Sequence, residues 1–167
     1  LFRSVNMYKD KNFYKDDKGN DRPIARINGQ VRLWLKGFAK MEHTLGPGGQ
    51  LHSFEAVFSP RGKDGRPLLV WDRETGDIDN AVAKTWEKYD IRLNMERNWQ
   101  DLGPKLAGKL HIFMGSQDTF YLEGATIKLK ESLKKLGSDA NIEIHPGRDH
   151  SNLIQGGLLL RIRREIA

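Results

Sequence analysis

Two side chains in this 167-residue sequence have the types and the spacing to share one proton: Asp118 and His150, thirty-two residues apart. Each follows a short apolar run that stops at turn residues. Lys109-Leu110-His111-Ile112-Phe113-Met114 ends at Gly115, with Ser116-Gln117-Asp118 beyond it. Ile142-Glu143-Ile144 leads into Pro146-Gly147, and Arg148-Asp149-His150 follows. Apolar runs bounded by turn signals predict buried parallel strands, although periodicity alone also admits a helix. In an open α/β sheet, chemistry gathers outside the carboxyl ends of the strands, where both residues are expected. A histidine there can take the proton of a hydroxyl nucleophile while an acid holds its tautomer. Asp118 and His150 are therefore the candidate catalytic residues, the last two members of a Ser…Asp…His triad in that chain order.

The elements that must position them can be read around the pair. Between the two strands, residues 123–136 have the clearest helical pattern. Leu122, Ala125, Leu129, Leu133 and Leu136 recur every three or four residues and predict a core stripe. Lys128, Lys130, Lys134 and Lys135 stay outside, and Gly137 supplies the stop. Leu158, Ile162 and Ile166 predict a closing helix. Earlier in the chain, Asn28-Gly29 between residues 24–27 and 31–35 predicts a hairpin, with Val31, Leu33 and Leu35 on one face. The alternation of Phe54, Ala56 and Phe58 predicts a strand, and residues 60–67 a turn into Leu68-Leu69-Val70-Trp71. Asp77 or Asp79 should cap a helix carrying Val82, Trp86 and Tyr89. A second short helix with Met95 and Trp99 should break at Gly103-Pro104.

These residues resemble a known family, the bacterial esterases of the α/β-hydrolase fold related to esterase D and the feruloyl esterases. The likeness rests on Gly115-Ser116-Gln117-Asp118 with Thr119-Phe120-Tyr121-Leu122, and on Pro146-Gly147-Arg148-Asp149-His150. Residues 54–60 and 102–106 also look like one subgroup of that family. The resemblance implies a serine-type carboxylic ester hydrolase with Asp118 as triad acid and His150 as base. It departs from the family at the nucleophile. Ser4, Ser53, Ser59, Ser116, Ser132, Ser138 and Ser151 all lack the flanking glycines of a G-x-S-x-G elbow. The expected fold class is thus α/β, the C-terminal part of an α/β-hydrolase sheet with a long inserted, lid-like region. Residues 1–8 would end a core-sheet segment, 9–106 form the insert, and 107–167 form the C-terminal α/β core. Nucleophile and oxyanion donors would lie upstream, so the segment made alone should be inactive. The resemblance alone suggests a secreted or periplasmic setting and a small-molecule or carbohydrate-linked ester as substrate.

Composition narrows the alternatives. The sequence contains no cysteine, which excludes a disulfide framework, a zinc ribbon and a thiol nucleophile. No apolar run approaches the roughly 20 residues of a membrane span. The net charge of +6 is spread among 22 acids without a basic, aromatic-laced stripe, so no nucleic-acid partner is expected. No cofactor or metal is expected either. Residues 46–49 lack the Lys-Ser or Lys-Thr pair of a phosphate loop, and residues 72–79 break the EF-hand spacing at Gly76 and Asp77. Among the other histidines, His111 reads as structural and His145 faces either way, while His43 and His52 flank the glycine loop. For His150 the plain alternative is a surface histidine bonded to its neighbour Asp149. At the level of function the alternative is a non-catalytic relative that binds a ligand or carbohydrate. A complete flavodoxin-like domain is a weaker third reading, since residues 1–8 offer no phosphate loop. An exposed sheet edge would also make self-association a further expectation.

Overall fold

In the computed structural model, which describes residues 5–166, the hairpin forms where its turn chemistry requires. Asn28 and Gly29 adopt φ of 50° and 76°, the paired left-handed conformations of a type I′ turn. They join β1 (Pro23–Ile27) to β2 (Gln30–Trp34) as an antiparallel pair with Ile27 opposite Gln30. Register shifts on either side of Ala25 break the simple alternation. Val31 is exposed, whereas Leu35 opens the next helix and is buried, so Val31, Leu33 and Leu35 do not share a strand face.

That helix, α1 (Leu35–Leu45), supplies a cap for the one after it, α2 (Gln50–Phe58). The Glu42 carboxylate accepts from the Gln50 and Leu51 N–H groups at 2.6 and 2.9 Å, which answers two of the free donors at the α2 amino end. The strand expected at Phe54, Ala56 and Phe58 is therefore corrected to a helix. The same residues also carry an i,i+4 pattern. Phe54 and Phe58 stack with ring centroids 6.3 Å apart, and Leu51 and Glu55 share the buried face. Asp79 caps α3 (Asn80–Thr85) through the Ala81 and Val82 N–H groups, and a 3₁₀ turn (Trp86–Tyr89) continues it. Asp90 then caps α4 (Ile91–Leu106). The break expected at Gly103-Pro104 does not occur. The helix departs from helical angles at Asn98 instead, upstream of Pro104, and runs on. Gly103 serves packing there, since a Cβ would lie 2.9 Å from the Trp99 ring.

The second sheet holds the candidate residues. β3 (His111–Gly115) and β4 (Asn141–His145) run parallel, in register from His111 opposite Asn141 to Gly115 opposite His145. α5 (Glu123–Lys135) joins them, and α6 (Leu158–Ile166) follows β4. The chain is thus mixed α/β, with six α-helices and two two-stranded sheets among the described residues. Ile112, Phe113 and Met114 are half-buried rather than fully covered. On α5 the expected stripe is incomplete. Leu133 is buried and Leu122, Leu129 and Leu136 half-buried, but Ala125 is exposed while Glu123, Thr126 and Ser132 are buried. Polar partners draw two of these inward: Arg26 pairs with Glu123, and the Ser132 hydroxyl donates to Glu96 on α4 at 2.6 Å.

A cluster of buried apolar side chains lies wholly within residues 5–86. Phe13 stacks on Trp71 at 3.9 Å, and the Trp71 indole N–H donates to the Tyr14 hydroxyl. Beneath them the buried Glu55 carboxylate accepts from the Val70 N–H and pairs with Arg73. Burial pushes the Glu55 carboxyl up from its ordinary value, against the pull of those two partners. Val5 and Met7 belong to this cluster, and residues 5–8 form no strand. The rest of the segment expected to end a core sheet, Leu1–Ser4, lies outside the described residues.

Candidate functional site

The carboxyl ends of β3 and β4 are laced together by their loops. Gly115 is where the β3 chain passes under the loop that follows β4. A Cβ there would lie 2.2 Å from the Arg148 carbonyl oxygen, so only glycine permits the approach. Just beyond, the Ser116 N–H donates to the His145 carbonyl and the Gln117 N–H to the Arg148 carbonyl, both at 2.9 Å. The Gly147 N–H donates to the Ser116 hydroxyl oxygen, also at 2.9 Å. Three bonds thus hold the two loops in one relation before either candidate side chain is considered.

Asp118 and His150 meet across this junction. The Asp118 Oδ2 to His150 Nδ1 distance is 2.9 Å. The other carboxylate oxygen, Oδ1, accepts from the Phe120 and Leu122 N–H groups at 2.8 and 3.2 Å. The two side chains differ sharply in exposure, 3% for Asp118 against 51% for His150. Phe120 stands edge-on to the imidazole at 5.1 Å. Because an ionised carboxylate can only accept, the imidazole proton belongs on Nδ1, and Nε2 is left as an acceptor on the exposed side of the ring. The alternative pairing of His150 with Asp149 does not form. The Asp149 carboxylate instead accepts from the Ser151 and Asn152 N–H groups in a turn of its own.

The other histidines take different places. His111 is on the exposed side of β3, 3.1 Å from Glu165 of α6. On β4, His145 Nε2 is enclosed and lies 3.5 Å from the Glu143 carboxylate. Arg161 holds that glutamate below the usual carboxylate range. His43 is exposed on α1 and His52 half-buried on α2, both remote in the chain from the pair. Among the described residues no group of three or more His, Cys, Asp or Glu side chains is arranged to hold a metal ion. Nor is any helix among them long and apolar enough to cross a membrane.

A cleft of about 520 Å³ lies between the hairpin turn and the two loops, lined by residues on either side of Asp118 and of His150 but by neither of the two. Asn28, Gln117, Thr119, Asp149, Ser151 and Asn152 line much of it. Sequence reasoning missed one residue on its wall, Arg26 of β1. The Arg26 guanidinium donates to the Asp118 carbonyl at 3.0 Å and pairs with Glu123 at 2.9 Å. An arginine between Ala25 and Ile27 next to a turn carried no signal that its partners lie more than ninety residues away. The arrangement can do one thing chemically: an oriented neutral imidazole can accept a proton at Nε2 and return it. Comparison with known proteins finds no matching family, no similar curated protein and no similar solved structure.

Proposed function

We propose that Asp118 and His150 are the acid and base of a serine-type carboxylic ester hydrolase whose nucleophilic serine lies outside these 167 residues. The observation that carries the reading is the 2.9 Å contact between a buried carboxylate and Nδ1 of a half-exposed imidazole. Two further features support it. The acid's second oxygen is occupied by backbone donors, so the carboxylate cannot swing away. The order strand, acid, helix, strand, histidine also fits the last part of an α/β-hydrolase sheet, and we read β3–α5–β4–α6 as that part. In the reaction, His150 takes the serine proton as the hydroxyl attacks the ester carbonyl. It then protonates the departing alkoxide, and the cycle repeats with water in place of the alcohol. Asp118 stays ionised throughout and stabilises the imidazolium.

The test is p-nitrophenyl acetate turnover by the natural polypeptide containing these residues. His150→Ala should lower kcat by several orders of magnitude, and Asp118→Asn by as much as about 10⁴-fold through the wrong tautomer. His145→Ala should cost far less. Turnover that survives His150→Ala, or that responds more to His145→Ala, overturns the assignment.

A further inference from the structure

We infer that Arg26, on the hairpin remote in sequence from the pair, is the positioning residue that sets the acid loop against His150. The inference rests on the reading of Asp118 and His150 as an acid–base pair. The residue touches three carbonyls of a single short loop. Its backbone N–H donates to the Thr119 carbonyl at 2.8 Å, its Nε to the Asp118 carbonyl at 3.0 Å, and its Nη2 to the Ser116 carbonyl at 3.4 Å. The same Nη2 pairs with Glu123 at 2.9 Å, the first residue of α5. Both side chains are largely enclosed, 13% and 7% exposed.

The chemistry explains why an arginine serves here. A guanidinium presents several donors in a rigid fork, so one side chain can bond divergent acceptors at fixed angles. Asp118 is locked to its own turn by the Phe120 and Leu122 N–H groups, but those bonds move with the turn. The β4 loop holds this loop at Ser116 and Gln117, and Arg26 adds an anchor from β1 that reaches on to Asp118 itself and to Thr119. The backbone at Tyr121 also asks for restraint. Its φ of 60° is uncommon for a residue with a side chain, and the Arg26 guanidinium lies 4.5 Å from its ring centroid. The hairpin is therefore part of the site's scaffold, acting through the orientation of Asp118 rather than through contact with substrate.

The readout is the tautomer of His150, followed by ¹⁵N NMR of the imidazole in the natural polypeptide containing these residues, with His150→Ala to identify the signals. The unaltered chain should hold the proton on Nδ1 alone. Arg26→Ala should convert the ring to a mixture of tautomers, because the Nδ1 tautomer depends on the bond to Asp118. Arg26→Lys should give partial rescue, since an ammonium reaches fewer of the carbonyls. Removing one member of an enclosed ion pair risks unfolding, so the double variant Arg26→Met with Glu123→Leu keeps the test decisive. An apolar pair of similar volume often preserves stability, and here it removes the two guanidinium bonds to the Asp118 and Ser116 carbonyls while the backbone bond to Thr119 stays. A folded double variant with a single Nδ1 tautomer overturns the inference.

Activity in the natural polypeptide separates the two proposals. Arg26→Ala should lower kcat by about 10²-fold with little change in KM, as expected for a misplaced catalytic group. If His150→Ala abolishes turnover and Arg26→Ala leaves kcat unchanged, the positioning role alone fails. If His150→Ala leaves turnover intact, the acid–base reading fails first.

Discussion

A single hydrogen on Gly115 separates the β3 backbone from the loop that carries His150. A Cβ in its place would lie 2.2 Å from the Arg148 carbonyl oxygen and 2.6 Å from the carbonyl carbon, and both are backbone atoms without a rotamer to yield. Gly115→Ala should therefore push the β4 loop away, breaking the Gln117 to Arg148 bond and moving His150 off Asp118. The expected cost is about 1–3 kcal/mol, typical of forced overpacking. Urea unfolding measures it, and unchanged stability with an intact Nδ1 tautomer would contradict the account. At this scale the sequence was informative about Asp118 and His150, because residue type, strand ends and chain order converge on them. It was silent about Arg26. A catalytic type at a strand end is a local signal, whereas a supporting arginine is defined only by acceptors distant in the chain.

Among the elements, those with their own local chemistry were legible. Asn28-Gly29 dictates its turn, Asp79 caps α3 from the adjacent position, and Gly137 ends α5 with a φ of 73°. The misread elements draw on distant support. Over five residues, Phe54-Glu55-Ala56-Val57-Phe58 satisfies a strand's alternation and a helix's i,i+4 spacing equally well. Helix α2 begins after Gly49, which has no side chain to cap it, and Glu42 supplies the missing acceptor from the preceding helix. A cap eight residues upstream cannot be recognised without the α1–α2 turn already formed. Glu42→Ala should accordingly destabilise the chain by about 0.5–2 kcal/mol, the usual cost of losing a cap. Denaturant midpoints measure the loss, and a variant as stable as its parent would show that the two N–H groups find other partners. Asn98 teaches the converse lesson. A proline fixes its own φ, yet α4 continues through Pro104 to Leu106, and its departure from helical angles is at Asn98.

For the molecule as a whole, the structure divides its strengths unevenly. The aromatic cluster of residues 5–86 encloses Phe13, Trp71 and Val70 almost completely. The β3–β4 pair that carries the candidate residues has only half-buried strand centres. Parallel strands normally lie within larger sheets covered on both faces, because their ladders are weaker in isolation. Here β3 and β4 each have one strand partner among the described residues, which leaves outward-facing N–H and C=O groups along both edges, although the Ile142 carbonyl accepts from the Lys130 ammonium at 2.8 Å. Such edges are templates for pairing with another chain. Leu160 and Ile166 of the adjoining α6 are also exposed and add apolar surface close to them. The 167-residue chain made alone is therefore expected to self-associate, with a second copy of the β3–β4 edge as its partner. Light scattering should record a mass that rises with concentration. Hydrogen exchange should show added protection in β3 or β4 as it does. The same preparation should show no His150-dependent turnover of p-nitrophenyl acetate, since Asp118 and His150 have no recognised serine to activate. A monodisperse monomer whose turnover disappears in His150→Ala would overturn both expectations at once, by revealing a covered sheet and a nucleophile within these residues.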